Sequence, residues 1–216
     1  MRNRLFARTA ALAAATVLLA LPAGTAGAMP GTPVLHTTGP AVNTGNPLSA
    51  DLVAGTVATM YNPGTTTGVK CLASHIGGTL AVNPNPPVIV SGPVDTLTFS
   101  ACTSNEVGII SVLSLTMNYL PYTLAISDST GYPVTLTPSA GSILQATVVL
   151  KTLAGNATCF FRANVLNGYA TNNLTQINLV KQPLTKSSGP SICFPSIEFS
   201  ASYSPITYGG ATALVN

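Results

Sequence analysis

The sequence predicts an all-β protein, specifically an antiparallel β-sandwich with two disulfides, and three observations carry the prediction. Apolar and polar residues alternate along many stretches, most cleanly in Leu97–Ala101 and Ile197–Tyr203, and a period of two is typical of half-buried strands. Gly, Pro and Asn turns separate these stretches every 8–12 residues or so, roughly the spacing found in sandwiches and barrels. Finally, the chain has four cysteines, and an even number in an exported protein indicates disulfides.

The first 28 residues have the composition of a secretory signal peptide. Three arginines precede residue 9, Thr9–Leu21 is apolar, and Ala26-Gly27-Ala28 is a small-residue cleavage site. The apolar run is short for a membrane span. We therefore expect cleavage before Met29 and a secreted, extracellular protein that can remain associated with the cell envelope.

The exported part of the chain divides into a leader and a domain. Residues 29–49 are rich in Pro, Gly, Thr and Asn without periodicity, which predicts an extended leader. Residues 50–216 hold the alternating stretches and are predicted to form the sandwich. The strands expected there are Asp51–Met60, Gly68–Ser74, Thr79–Val82, Thr96–Cys102, Leu113–Asn118, Tyr122–Ser127, Val134–Thr137, Ile143–Lys151, Cys159–Val165, Leu174–Val180 and Ile197–Ser204.

Local signals set the expected ends of these strands. Gly77-Gly78 is predicted to break a strand, Asn167-Gly168 to form a hairpin turn, and Gln182–Pro190 to form a loop. Asn83–Pro87 cannot be helix or central strand, because its prolines lack an N–H donor. Alternation assigns one set of side chains to the interior: Leu97, Phe99, Leu113, Leu115, Ile197, Phe199 and Tyr203.

One uncharged window, Val107–Ile126, is long enough to raise the alternative of a membrane helix. Its β-branched residues, together with Asn118 and Pro121, favour two strands instead. We therefore expect no transmembrane helix in the exported chain.

The four cysteines allow three disulfide pairings, of which we favour Cys71–Cys102 and Cys159–Cys193. The two separations are similar, at 31 and 34 residues, and each pair lies in one half of the sequence. A zinc site is the alternative, but no C-x-x-C or H-x-x-x-H spacing supports it. The two halves of the sequence also share a weak pattern of an apolar strand, a Gly turn and a cysteine strand. An ancient duplication of one half is therefore an alternative origin of the domain.

Charge is scarce and balanced in the exported chain. Of the eight Lys and Arg, three lie in the signal, so five remain against five Asp and Glu. Soluble domains usually carry about 25% charged residues. No cationic patch for nucleic acid is visible. A neutral, hydroxyl-rich surface favours association with itself, with the cell wall or with an apolar surface.

Several segments together resemble known exported proteins. These are Gly68–Cys71, Thr96–Cys102, Leu120-Pro121-Tyr122-Thr123, Cys159, and Cys193 followed by Glu198–Ala201. In this order the chain resembles a group of exported actinobacterial proteins of unknown function and, distantly, the secreted "protein activator of alkane oxidation" family. That family commonly has Trp where this chain has Tyr122. The resemblance spans most of residues 50–205, implies a secreted accessory protein and carries over no catalytic residue.

Residues for catalysis are sparse. A nucleophilic hydrolase needs a base and a group that orients it. His75, which either Asp51 or Asp95 could orient, is the best candidate base, whereas His36 lies in the leader. No G-x-S-x-G motif, clustered calcium ligands or phosphate loop occurs. We therefore predict no catalytic, cofactor-binding or metal-binding residue.

A glycosidase would need two carboxylates facing each other across a cleft. The five acidic residues are scattered, and Glu106 and Asp128 fall in predicted turns. The sequence as a whole indicates a secreted, non-enzymatic accessory or structural protein that acts at the cell envelope or an apolar interface. An extracellular hydrolase and an outer-membrane-type β-barrel are the alternatives.

Overall fold

The computed structural model describes residues 32–38, 42–172 and 175–215, so the predicted signal peptide lies outside the described residues. Within these ranges there are fifteen strands and no helix, which confirms the all-β prediction. The strands are β1 (Leu35–Thr37), β2 (Pro47–Asp51), β3 (Ala58–Tyr61), β4 (Gly68–Thr79), β5 (Ile89–Ser104), β6 (Ile109–Asn118), β7 (Tyr122–Ser127), β8 (Pro133–Pro138), β9 (Leu144–Thr152), β10 (Gly155–Ala163), β11 (Leu166–Thr171), β12 (Gln176–Ser188), β13 (Ser196–Tyr203), β14 (Thr207–Tyr208) and β15 (Ala211–Val215).

The strands form one sheet that closes on itself in a barrel-like arrangement. Antiparallel pairing runs from β4 through β3, β13, β12, β10, β9, β6 and β5 and returns to β4. A second circuit leaves β5 through β7, β8 and β11 and rejoins the sheet at β12. The antiparallel pairing is as predicted, but the closed sheet is not clearly a sandwich of two separate sheets.

Three long strands, β4, β5 and β12, connect two stacked parts of the molecule. Residues Ile89–Val94 of β5 pair with β7, whereas Thr98 pairs with β6. Likewise, the start of β12 pairs with β11 and its end pairs with β10. We call the part closed by β3, β6, β9 and β10 the lower half, and the part closed by β2, β7, β8 and β11 the upper half.

Each half has its own apolar core, because alternate side chains point into the closed sheet. The larger cluster fills the lower half and the middle of the molecule; Leu97, Leu115 and Phe199 belong to it. The smaller cluster fills the upper half and includes Val90 and Ile177.

Both disulfides form as the sequence predicts. Cys71–Cys102 joins directly paired residues of β4 and β5, and Cys159–Cys193 ties β10 to the segment between β12 and β13. All four cysteines pack in or against the larger cluster. The two stacked halves of the molecule are therefore not the two halves of the sequence, because both cysteine pairs lie in the lower half.

The predicted interior set is confirmed with one exception. Leu97, Leu115, Ile197, Phe199 and Tyr203 are buried, and Phe99 is half-buried against them. Leu113 was expected inside but is exposed. The reason is an irregularity between Val112 and Ser114, where β6 shifts register against β9 and the alternation changes phase.

Two glycine signals predicted turns where the chain continues as strand. Gly77-Gly78 lies inside β4, and Asn167-Gly168 lies inside β11. A Cβ on Gly78 would lie 2.0 Å from the Pro93 carbonyl oxygen, and one on Gly168 would lie 2.3 Å from that of Asn178. These glycines let neighbouring backbones approach closely, so neither marks a strand end.

Two further boundaries differ from the sequence prediction. The predicted loop Gln182–Pro190 is mostly strand, because β12 continues to Ser188 beyond a bulge that contains Lys181, at positive φ. Part of the predicted leader also belongs to the sheet, since β1 pairs with β15 and β2 begins at Pro47. The segment Asn83–Pro87 contains no strand, as predicted.

Candidate functional site

Two of the residues considered for catalysis, His75 and Asp51, are in contact. They are cross-strand partners on β4 and β2, and His75 Nδ1 lies 2.7 Å from Asp51 Oδ1. Thr98 on β5 is the cross-strand partner of His75 on its other side. Because directly paired residues project from the same face of a sheet, a carboxylate, an imidazole and a hydroxyl lie in one row.

The row lacks two things that a nucleophilic site needs. Within the described part of the chain, no hydroxyl is hydrogen-bonded to His75, so no nucleophile is aligned with it. The side chains of His75 and Asp51 are 42% and 81% exposed. Neither residue lines the cavity beside Val90 in the upper half or the cavity beside Phe161 in the lower half. Water therefore has free access to the pair, whereas reactive sites usually lie in a cleft.

The remaining carboxylates lie on separate elements. Glu106 follows the end of β5, and Asp128 follows Ser127, which pairs with the start of β5. A strand of 16 residues is about 50 Å long at the usual rise per residue, so these two acids lie at opposite ends of the molecule. Among the described residues, no three His, Cys, Asp or Glu side chains are placed to hold a metal ion.

The buried tyrosines Tyr122 and Tyr203 make hydrogen bonds within the fold. Tyr203 and Ser74 share a buried hydrogen bond of 2.9 Å between their hydroxyls. Tyr122, which follows Pro121, donates a hydrogen bond to the carbonyl of Asn118. Burial raises the pKa of both phenols, an effect that hydrogen bonds with Ser74 and with the Gln145 backbone partly offset. Both phenols therefore stay protonated in ordinary buffers.

An exposed apolar surface lies at the tip of the lower half. Ile109 of β6 pairs with Thr152 of β9, which places the β5–β6 and β9–β10 turns side by side. Val107 in the first turn is 88% exposed and Leu153 in the second is 89% exposed. Ile110, which lies in a bulge of β6, is exposed beside them. We call Val107, Ile110 and Leu153 the apolar end.

Sequence reasoning based on strand alternation missed the apolar end, because its residues lie in turns and in a bulge. A signal was nevertheless present. Turns usually consist of Gly, Pro, Asn, Asp and Ser, and Glu106-Val107-Gly108 and Thr152-Leu153-Ala154 each place a large aliphatic residue in a turn. Leu113 of β6, which alternation predicts to be interior, is about half exposed as well.

Fold and surface together define the class of protein: an all-β, disulfide-linked protein with a closed sheet, an exposed His–Asp pair and an apolar end. Comparisons with protein-family models, with curated proteins and with solved structures find no match. In the described ranges, no helix has the length and apolar character needed to cross a membrane. The two disulfides are compatible with an extracellular location.

Proposed function

We propose that this protein is a secreted, non-enzymatic accessory or structural protein that acts at the cell envelope or at another apolar interface. The apolar end carries the proposal, because two large aliphatic side chains about nine-tenths exposed lie on neighbouring turns at one tip. Soluble proteins tolerate single exposed apolar residues, but clustered ones indicate a surface that contacts something apolar. The signal-peptide composition and the resemblance to secreted accessory proteins support the same role.

Physical chemistry favours adsorption through this tip. Fully burying a Val or Leu side chain gains about 1.5–3 kcal/mol. Removing charged groups from water opposes adsorption, and the exported chain has only five basic and five acidic residues. Glu106 and Lys151 flank the apolar end, and their charged groups need not leave water if only the tips of the two turns insert.

The test is adsorption of a variant that has lost the apolar end. We expect the double variant Val107→Asp, Leu153→Asp to bind hexadecane droplets and cell-wall preparations at least about tenfold less than the parent, because two carboxylates would have to be desolvated. The control double variant Thr130→Asp, Ala140→Asp adds the same charge in exposed turns away from the apolar end.

Equal adsorption of both double variants would refute the role of the apolar end. A second copy of the chain, bound through the same surface, is the other partner that the sequence suggests. Sedimentation of the parent and of the Val107→Asp, Leu153→Asp variant measures this self-association directly: a dimer that only the parent forms would assign the apolar end to a second copy of the chain.

An extracellular hydrolase is the second candidate function, and the contact between His75 and Asp51 favours it. If the protein is a hydrolase, the His75→Ala variant loses a measurable rate on ester, glycoside or peptide substrates. Because the pair is exposed and has no aligned nucleophile, we expect no turnover by the parent. A rate that disappears in His75→Ala would overturn the non-enzymatic proposal.

A further inference from the structure

We propose that the cavity inside the upper half is a binding site for one uncharged aliphatic chain. The walls of the cavity come from β2, β4, β5, β7, β11 and β12, and Ile206, Ala213 and Val215 cover it. It contains about 740 Å³ of space between atoms, including solvent at its open side. The site lies in the other half of the molecule from the apolar end and does not depend on the proposed adsorption.

The chemistry of the lining defines the class of ligand. Aliphatic side chains predominate, including Ile76, Val90, Ile126 and Ile177, and none of the described residues that line the cavity has a charged or aromatic side chain. An ionic ligand would have no counter-charge in the cavity, so its burial would be costly. A sugar or nucleotide would find neither an aromatic ring to stack on nor a converging set of polar groups.

Two amide side chains that line the cavity already have hydrogen-bond partners. Asn172 donates a hydrogen bond to the Val215 carbonyl and accepts one of 2.8 Å from the Val215 N–H. Gln176 donates to the Asn178 side chain. Because these two amides are already engaged and the rest of the lining is mostly apolar, we expect any polar group of the ligand to remain at the open side.

An aliphatic chain suits this cavity, because it can fill the apolar space without needing polar partners. Cavities lined by aliphatic side chains stay dry and take up small apolar molecules, because the lining atoms otherwise lack dispersion partners on one side. The chain can belong to a plain hydrocarbon or to an amphiphile whose head group stays outside. Both present the same chemistry to the cavity.

Methyl nuclear magnetic resonance of the oxidised, exported protein tests the site with two probes, n-decane and 1-decanol. We expect saturable shifts of the Ile76, Val90 and Ile177 methyl signals with at least one probe. Binding of decane indicates that a plain hydrocarbon suffices, whereas binding of decanol alone indicates an amphiphile. In either case, filling the cavity with Ala213→Leu should weaken binding at least about tenfold.

Two further variants keep the test decisive. Ala50→Val fills the same cavity with a smaller change, and it replaces Ala213→Leu if that variant does not fold. The Val107→Asp, Leu153→Asp variant should bind both probes as the parent does, even if it no longer adsorbs to hexadecane. The proposal is overturned if no saturable shift occurs, if the shifts are confined to Val107, Ile110 and Leu153, or if a folded cavity-filling variant binds with unchanged affinity.

Discussion

At the scale of single residues, Gly77 and Gly78 are neighbours with different roles. A Cβ at Gly78 would lie 2.0 Å from a backbone oxygen, which cannot move without shifting β5. A Cβ at Gly77 would lie 3.3 Å from the tip of the His75 ring, which can turn aside. The sequence shows two adjacent glycines and no local signal that separates close backbone approach from a strand break.

We therefore expect Gly78→Ala to lower the free energy of unfolding by about 3 kcal/mol or more, since overpacking against backbone is costly. The matched variant Gly77→Ala should change it by less than about 1 kcal/mol. Urea denaturation of both variants, followed by circular dichroism, measures the difference. Similar effects of the two substitutions would show that the strands do not approach closely at Gly78.

Tyr203 gives a prediction on pH at the same scale. Its pKa is raised above the ordinary value of 10.0 because the folded protein buries the phenol. The phenol is neutral in both states below pH 10, so its contribution to stability is intact there. Above pH 10 the unfolded chain releases the proton first, and stability falls as pH rises, by at most about 1.4 kcal/mol per pH unit for this one group.

The variant Tyr203→Phe should therefore lose stability less steeply than the parent between pH 10 and 11. At neutral pH it should be less stable than the parent by about 1–3 kcal/mol, because Ser74 loses its buried partner. Tyr169→Phe, at a half-exposed position, is the control. Thermal unfolding at a series of pH values gives both slopes, and parallel curves for parent and Tyr203→Phe would contradict the assignment.

At the scale of elements, alternation located most strands but did not reveal their bulges. The stretches around Leu97 and Ile197 were predicted correctly, because a sheet with one buried face requires a period of two. In β6 the period is interrupted between Val112 and Ser114. A bulge adds one residue without a distinctive composition, so Leu113 and Leu115 look equivalent in the sequence. For the same reason, alternation does not predict that Ile110, in the other bulge of β6, is exposed.

Leu113 and Leu115 should respond differently to truncation. Leu115 is buried and packs in the larger cluster, whereas Leu113 is exposed. We expect Leu115→Ala to cost about 2–5 kcal/mol and Leu113→Ala to cost less than about 0.5 kcal/mol. Urea denaturation of the two variants decides between the structure and the original alternation, which predicts equal losses.

At the scale of the whole molecule, closure of the sheet could not be predicted from the sequence. Local patterns specify that strands exist, but the partners of β5 and β12 depend on contacts between residues far apart in the chain, such as Phe160 and Ser188. The disulfide pairing was predicted because both pairs are separated by similar distances in the sequence. The upper cavity was not predicted, because it depends on how walls and cover meet in space.

The shared strands predict a single unfolding transition. Because β4, β5 and β12 form walls of both halves, neither half can open without losing strands that the other half needs. We expect the amide signals of Val90 in the upper half and Phe161 in the lower half to disappear at the same urea concentration. Two separate midpoints would show that the halves are independent folding units.

The direction of the long strands also determines how the molecule bears force. If its two ends are pulled apart along β5, the ladder between β4 and β5 is loaded in shear, where many hydrogen bonds and the Cys71–Cys102 disulfide resist sliding together. A pull across the strands would separate the same hydrogen bonds one after another. A protein held at the lower tip by a surface and at the upper end by another molecule would thus be loaded in its stronger direction, as a short rigid tether.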